Sequence, residues 1–150
     1  MHIPSQMNCM KYLFMQPVPL SGGNGLQIKH LNNMRKFFAG FRYAFAGVCF
    51  AFKHERNFKI ELLCAIAVSA TGFIFHISRI EWCIILVNIG AVLSAELFNT
   101  AIEKMCNEFS KEIRRGIKAI KDVSAAAVLI FAIISVVCGL IIFVPYFLNI

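Results

Sequence analysis

Charge is scarce in this sequence: 15% of its 150 residues are Asp, Glu, Lys or Arg, against about a quarter in an ordinary soluble domain. Acid is scarcer than base, 8 residues against 15, for a net charge of +7. Hydrophobic residues fill 59% of the chain, so lipid is the expected solvent, and the length admits one domain. The basic residues flank apolar runs and do not form a stripe interleaved with exposed aromatics. That excludes the usual footprint of a nucleic-acid groove binder and suits an anionic membrane surface. No two of the six cysteines form a C-x-x-C pair, and neither a zinc site nor a disulfide framework is expected. The four histidines lack ligand spacing, with His54 alone falling beside a polar cluster. No Walker pattern and no kinase glycine loop is present, so no motif demonstrates nucleotide use.

What is there begins after a dissimilar N-terminal stretch. Residues 1–30 hold Pro4, Pro17, Pro19 and the run Ser21-Gly22-Gly23-Asn24-Gly25, without apolar periodicity. Pro17 and Pro19 interrupt the short apolar stretch that a signal peptide would need, so a disordered or misannotated extension is expected, with Met34 near the true start. Residues 31–150 then form the domain. From 31 to 53, Phe38, Phe41, Phe45, Val48 and Phe52 recur at three- and four-residue steps, with Arg35, Lys36, Arg42 and Lys53 off that stripe. This pattern predicts an amphipathic helix lying in the membrane interface. Apolar runs at about 60–77, 82–101 and 123–148 predict three spans, the first marginal in length. The expected fold class is therefore an all-α membrane protein, a surface helix followed by three transmembrane helices.

Lys and Arg alternate across those spans: 8 before the first, one (Arg79) between the first and second, and 6 between the second and third. The positive-inside rule puts the N-terminus and the second connection in the cytosol and the C-terminus outside.

A carboxylate inside a span costs about 2.5–3.5 kcal/mol on insertion scales and marks function by default. In the second span, Asn99 falls about 60° from Glu96 around the helix, and Glu103 and Asn107 each about 20°. The four make one polar face running out toward the cytosol. With the boundary near Ala101, Glu96 lies roughly 8 Å inside it, at headgroup or ester depth, and Glu103 just outside. A proton acceptor for a lipid hydroxyl belongs at the first depth and a ligand for a metal–phosphate group at the second. Lys53-His54-Glu55-Arg56-Asn57-Phe58-Lys59 precedes the first span, and Lys118, Lys121 and Asp122 precede the third. All these clusters fall on one membrane face. Glu55 with Glu103 would offer hard oxygens to Mg²⁺, and Lys121 would face phosphate charge. Against this stands a purely structural role, in which Glu96 and Asn99 hydrogen-bond between helices and hold a bundle together.

The stretch Glu96-Leu97-Phe98-Asn99-Thr100-Ala101-Ile102-Glu103 resembles the signature of the prokaryotic diacylglycerol kinase and undecaprenol kinase family. Glu55-Arg56-Asn57-Phe58 and Lys121-Asp122 followed by Ser124-Ala125-Ala126-Ala127-Val128-Leu129 are similar to its other two blocks, in the same order. The resemblance implies a homotrimer in the bacterial cytoplasmic membrane, phosphorylating a lipid alcohol with ATP and Mg²⁺ at the cytosolic boundary. It implies Glu96 as catalytic base, Glu55 and Glu103 as metal ligands, and Asn99, Lys121 and Asp122 at the nucleotide and substrate site. Asn107 belongs to the nucleotide side, where the family commonly has Asp, a departure that bears on nucleotide affinity. The connection 108–120 lacks the family's common Tyr-His element and carries Lys111, Arg114, Arg115 and Lys118 instead. Glu55-Arg56-Asn57-Phe58 and Gly139-Leu140-Ile141-Ile142-Phe143-Val144-Pro145 are more similar to the undecaprenol branch, which favours undecaprenol over diacylglycerol as acceptor. A non-catalytic helical protein and a proton-coupled transporter are the readings from other classes. The transporter would be expected to show inverted repeats, and none is found.

Overall fold

Among the described residues, the apolar runs and their polar interruptions resolve into four helices in the computed structural model. It describes residues 25–109 and 115–148, with side chains over 38–108 and 115–148. The helices are α1 (Gly25–His54), α2 (Arg56–Ile74), α3 (Arg79–Phe109) and α4 (Arg115–Leu148). Of the N-terminal extension, residues 1–24 lie outside the described residues, as do Lys111 and Arg114 of the basic connection. Helix α1 starts at Gly25, at the end of the glycine run and six residues ahead of the expected start at 31.

α2, α3 and α4 are each long and apolar enough to cross a bilayer. At 1.5 Å per residue, α2 extends about 28 Å, just the hydrocarbon thickness, whereas α3 and α4 exceed it by roughly 15–20 Å. That excess carries Glu103, Lys104, Lys118, Lys121 and Asp122. Only 11% of each spanning window is buried inside the chain, so most of the apolar surface faces outward.

One residue separates α1 from α2. Glu55 takes extended backbone (φ −104°, ψ 122°) at the N-cap of α2. Its N–H still donates to the Ala51 carbonyl at 2.8 Å, and Ala51 and Phe58 are buried on either side. The junction is thereby held in one geometry.

α2 ends in a Schellman motif, so Phe75, His76 and Ile77, apolar enough to count with the first span, form a turn. The N–H of Ile77 bonds the Gly72 carbonyl at 3.3 Å and that of His76 bonds Phe73 at 3.4 Å. His76 occupies the left-handed position (φ 50°). Gly72 admits Ile77 and Trp82 against the helix, because a Cβ there would lie 3.0 Å from Ile77 Cδ1 and 3.1 Å from the Trp82 ring. α3 then opens with a capping box. Ser78 N–H donates to Glu81 Oε2 at 2.7 Å, and Glu81 N–H reaches Ser78 Oγ at 3.4 Å.

α3 and α4 run antiparallel and share the most extensive packing. At the turn end they enclose Ile77, Ile85, Ile142 and Phe143, with Phe75, Trp82 and Tyr146 packed around them. Four cross-helix hydrogen bonds tie the pair along its length: Lys121–Asn107, Ser124–Asn99, Ser135–Asn88 and Tyr146–Glu81. In apolar surroundings such bonds, rather than hydrophobicity, select which helix faces meet.

Candidate active site

Where α3 and α4 carry their charges, the side chains of three helices converge. Glu96 is 3% exposed, accepts a hydrogen bond from the Asn99 side chain and lies within electrostatic range of Glu55 and Glu103. Asn99 is held in turn by Ser124, whose Oγ donates to Asn99 Oδ1 at 2.7 Å and also lies 2.9 Å from the Lys121 carbonyl. One turn and two turns further along α3, Lys121 answers both remaining members of the polar face. Its Nζ donates to Asn107 Oδ1 at 2.7 Å and is 3.9 Å from Glu103 Oε1. The helical periodicity that aligned Glu96, Asn99, Glu103 and Asn107 thus corresponds to one continuous polar seam between α3 and α4.

Glu55 enters from the α1–α2 junction. Its Oε1 pairs with Lys104 Nζ at 2.9 Å, and the Glu55 side chain is 19% exposed. The same ammonium sits 5.8 Å above the Phe50 ring, which fixes the lysine over the junction. His54 stacks on Phe50 with centroids 4.5 Å apart, and its Nδ1 lies 3.0 Å from the Phe50 carbonyl, a local role apart from the acids. Asp122 is the expected site residue that stands aside. It is exposed on α4 and makes no hydrogen bond or ion pair among the described residues.

Three residues join the site without having been singled out for it. Lys104 is the partner of Glu55, and Ser124 is the link to Asn99. Glu61, half-buried on α2, lies within electrostatic range of Glu96. Glu61 carried a usable signal, since an acid within a span is a functional candidate by default. Lys104 and Ser124 carried none, because their partners lie on other helices.

Four carboxylates (Glu55, Glu61, Glu96 and Glu103) are therefore linked through Glu96 by electrostatic range, and the outer two, Glu55 and Glu103, each face a lysine. Glu61 Oε2 and Thr100 Oγ1 are buried without a hydrogen-bond partner among the described residues, at a cost of about 1–3 kcal/mol each. Glu55 Oε1, the atom that faces Lys104 at 2.9 Å, makes an ion pair without a hydrogen bond among the described residues. Among the described residues no group of three or more acid, His or Cys side chains is gathered closely enough to hold a metal ion by itself, while one or two carboxylates are what Mg²⁺ takes when phosphates and waters complete its shell. Chemically, the arrangement offers a buried acid at Glu96 and presents Lys121 to anionic oxygens.

Residues 42–143 match the sequence profile of the family described as Prokaryotic diacylglycerol kinase, a range that includes every residue of the seam. The chain is 41% identical over 116 residues to "Undecaprenol kinase" of Bacillus subtilis (strain 168), an alignment covering 77% of this chain and 94% of that protein. It is 34% identical over 110 residues to "Diacylglycerol kinase" of Synechocystis sp. (strain ATCC 27184 / PCC 6803 / Kazusa), covering 73% of this chain and 63% of that one. On this match, and with three bilayer-length helices and an acid-rich seam at their charged ends, the chain belongs to the prokaryotic diacylglycerol kinase family of membrane lipid kinases.

Proposed function

We propose that this enzyme transfers the γ-phosphoryl group of ATP to the hydroxyl of a membrane lipid alcohol, with undecaprenol the favoured acceptor. The observation that carries the reading is Glu96, an almost fully buried acid bonded to Asn99 where apolar helix gives way to charge. The relative named undecaprenol kinase, aligned over nearly its whole length, supports the acceptor. Diacylglycerol, named for the Synechocystis relative, is the second candidate.

In this reading Glu96 accepts the proton of the lipid hydroxyl as its oxygen forms a bond to the γ-phosphorus. The bond from that phosphorus to the β,γ-bridging oxygen breaks, and ADP departs. A lipid alcohol is a weak nucleophile, and a positioned base contributes about 10²–10⁴-fold to such a step. Lys121, steadied by Asn107, faces the phosphate oxygens, and Asn99 orients Glu96. Glu55 and Glu103 would hold Mg²⁺, which when bound neutralises phosphate charge. Lys104 keeps Glu55 directed toward α3. Asp122, exposed beside Lys121, is proposed to meet the nucleotide or substrate from the water side.

The positive charges favour an N-terminus and a 102–122 connection on the cytosolic side, which is also where ATP is available. A homotrimer is proposed on the family resemblance and is supported by the small fraction of each span buried within one chain.

The test is phosphoryl transfer by purified protein in detergent–lipid micelles, with MgATP and undecaprenol or diacylglycerol offered side by side. Wild type is expected to label undecaprenol, and Glu96→Gln to lose at least roughly a hundredfold in turnover while eluting at the same oligomeric size. Preferential labelling of diacylglycerol would reverse the acceptor. Labelling of neither would remove the catalytic reading in favour of a scaffold role.

A further inference from the structure

The α3–α4 seam contains the same pair twice: a serine of α4 donating to the amide oxygen of an asparagine of α3. At mid-span Ser135 Oγ donates to Asn88 Oδ1 at 3.1 Å, and near the charged end Ser124 Oγ donates to Asn99 Oδ1 at 2.7 Å. The pairs differ in where the amide nitrogen goes. Asn88 Nδ2 returns to its own helix, donating to the Ile84 carbonyl at 2.9 Å. Asn99 instead bonds the carboxylate of Glu96. One pair ends on backbone and can only join helices. The other ends on the buried acid.

We propose that Ser124 is a positioning residue for Glu96, acting through Asn99, a role that rests on the lipid kinase reading above. The direction of the relay follows from donor and acceptor inventory. An ionised carboxylate only accepts, so Asn99 must turn its NH₂ group to Glu96 and its oxygen the other way. That oxygen then needs a donor in a half-buried place. The hydroxyl of Ser124 supplies it, and the neighbours Ala125, Ala126 and Ala127 have nothing to offer in its stead. The hydroxyl has one proton and two acceptors nearby, Asn99 Oδ1 at 2.7 Å and the Lys121 carbonyl at 2.9 Å. Losing the hydroxyl frees the broad terminal torsion of Asn99, and the amide no longer aims one fixed N–H at the base. Ser124 touches neither lipid nor nucleotide in this account. It sets the orientation of the group that does, so its loss is expected in turnover and not in binding.

The experiment compares Ser124→Ala, Ser124→Thr and Ser135→Ala with wild type, using the full chain in mixed micelles with MgATP and undecaprenol. Heat unfolding and steady-state kinetics are recorded for each. Both alanine variants should lose comparable stability. Only Ser124→Ala should lose kcat, by about tenfold with KM for ATP and lipid within about twofold. Ser124→Thr, which keeps the hydroxyl, should recover most of that loss. In an Asn99→Ala background, adding Ser124→Ala should change kcat no further. Equal kcat in the two alanine variants, or a Ser124→Ala loss that threonine does not recover, overturns the positioning role while leaving an active wild type as a lipid kinase. A wild type inactive on every lipid offered overturns the kinase reading, and this role with it.

Discussion

Lys121 of α4 reaches Asn107 of α3 and donates to its Oδ1 at 2.7 Å, while the carboxylate of Glu103 on the same helix face stays 3.9 Å away. A neutral amide therefore holds the ammonium without cancelling its charge, which leaves that charge for an incoming anion. Asn107→Leu removes the acceptor and keeps the approximate volume. A hydrogen bond to a charged group contributes about 1.5–3 kcal/mol, and part of it is replaced by water at this exposed place. KM for ATP is expected to rise about three- to tenfold, with KM for the lipid unchanged. Initial rates at varied ATP, and separately at varied lipid, check this; an unchanged KM for ATP would detach Lys121 from the nucleotide.

Glu61 and Glu96 lie within electrostatic range of each other, and Glu96 within that of Glu55 and Glu103. Like charges assembled in one place oppose folding and are kept where a ligand or reaction uses them. Glu61→Gln removes one. It is expected to raise resistance to heat unfolding and to lower lipid phosphorylation. Unfolding curves and the phosphoryl-transfer assay on the same preparation read the two effects, and a destabilised variant with full activity would contradict both.

Much of this site was legible because helical periodicity needs no partner. Glu96, Asn99, Glu103 and Asn107 share a face by spacing alone, and each now meets Ser124, Lys121 or another member of the seam. Spacing does not tell how one helix is rotated against the next. Lys121 and Asp122 are adjacent in sequence and about 100° apart around α4, so only one can face α3, and Lys121 does. Ser124 stands out from its alanine neighbours by nothing local, since its hydroxyl has no meaning until Asn99 stands opposite. Glu61 gains its role from an acid on another helix. The turn end shows the same division: Ser78 and Glu81 carry the S-x-x-E spacing of a capping box, whereas nothing local announces that Tyr146 also bonds Glu81.

At that turn His76 occupies the left-handed C′ position of the Schellman motif, where glycine is the usual residue. A Cβ in this conformation costs about 1–2 kcal/mol, partly offset by the freedom glycine brings to the unfolded chain. His76 is exposed and, among the described residues, hydrogen-bonds only through its backbone. His76→Gly is therefore expected to stabilise the protein by about 0.5–1 kcal/mol with kinetics unchanged. Heat unfolding in micelles decides the sign, and a destabilised variant would mean that the imidazole makes an energetically significant contact.

Glu81 Oε2 accepts two hydrogen bonds, from the Ser78 N–H at 2.7 Å and from the Tyr146 hydroxyl at 2.9 Å. One oxygen thus closes the first turn of α3 and secures the last turns of α4. Glu81 and Glu103 are 22 residues apart on α3, about 33 Å along the axis, so this clamp is remote from the proposed chemistry. Tyr146→Phe deletes one hydroxyl and keeps the ring that packs near Phe75, with centroids 5.9 Å apart. The expected result is a lowered unfolding temperature, with kcat and both KM values unchanged. If turnover fell while the unfolding curve stayed in place, the two ends of the α3–α4 pair would be coupled through the bundle, and the seam would act as one rigid unit from Glu81 to Asn107.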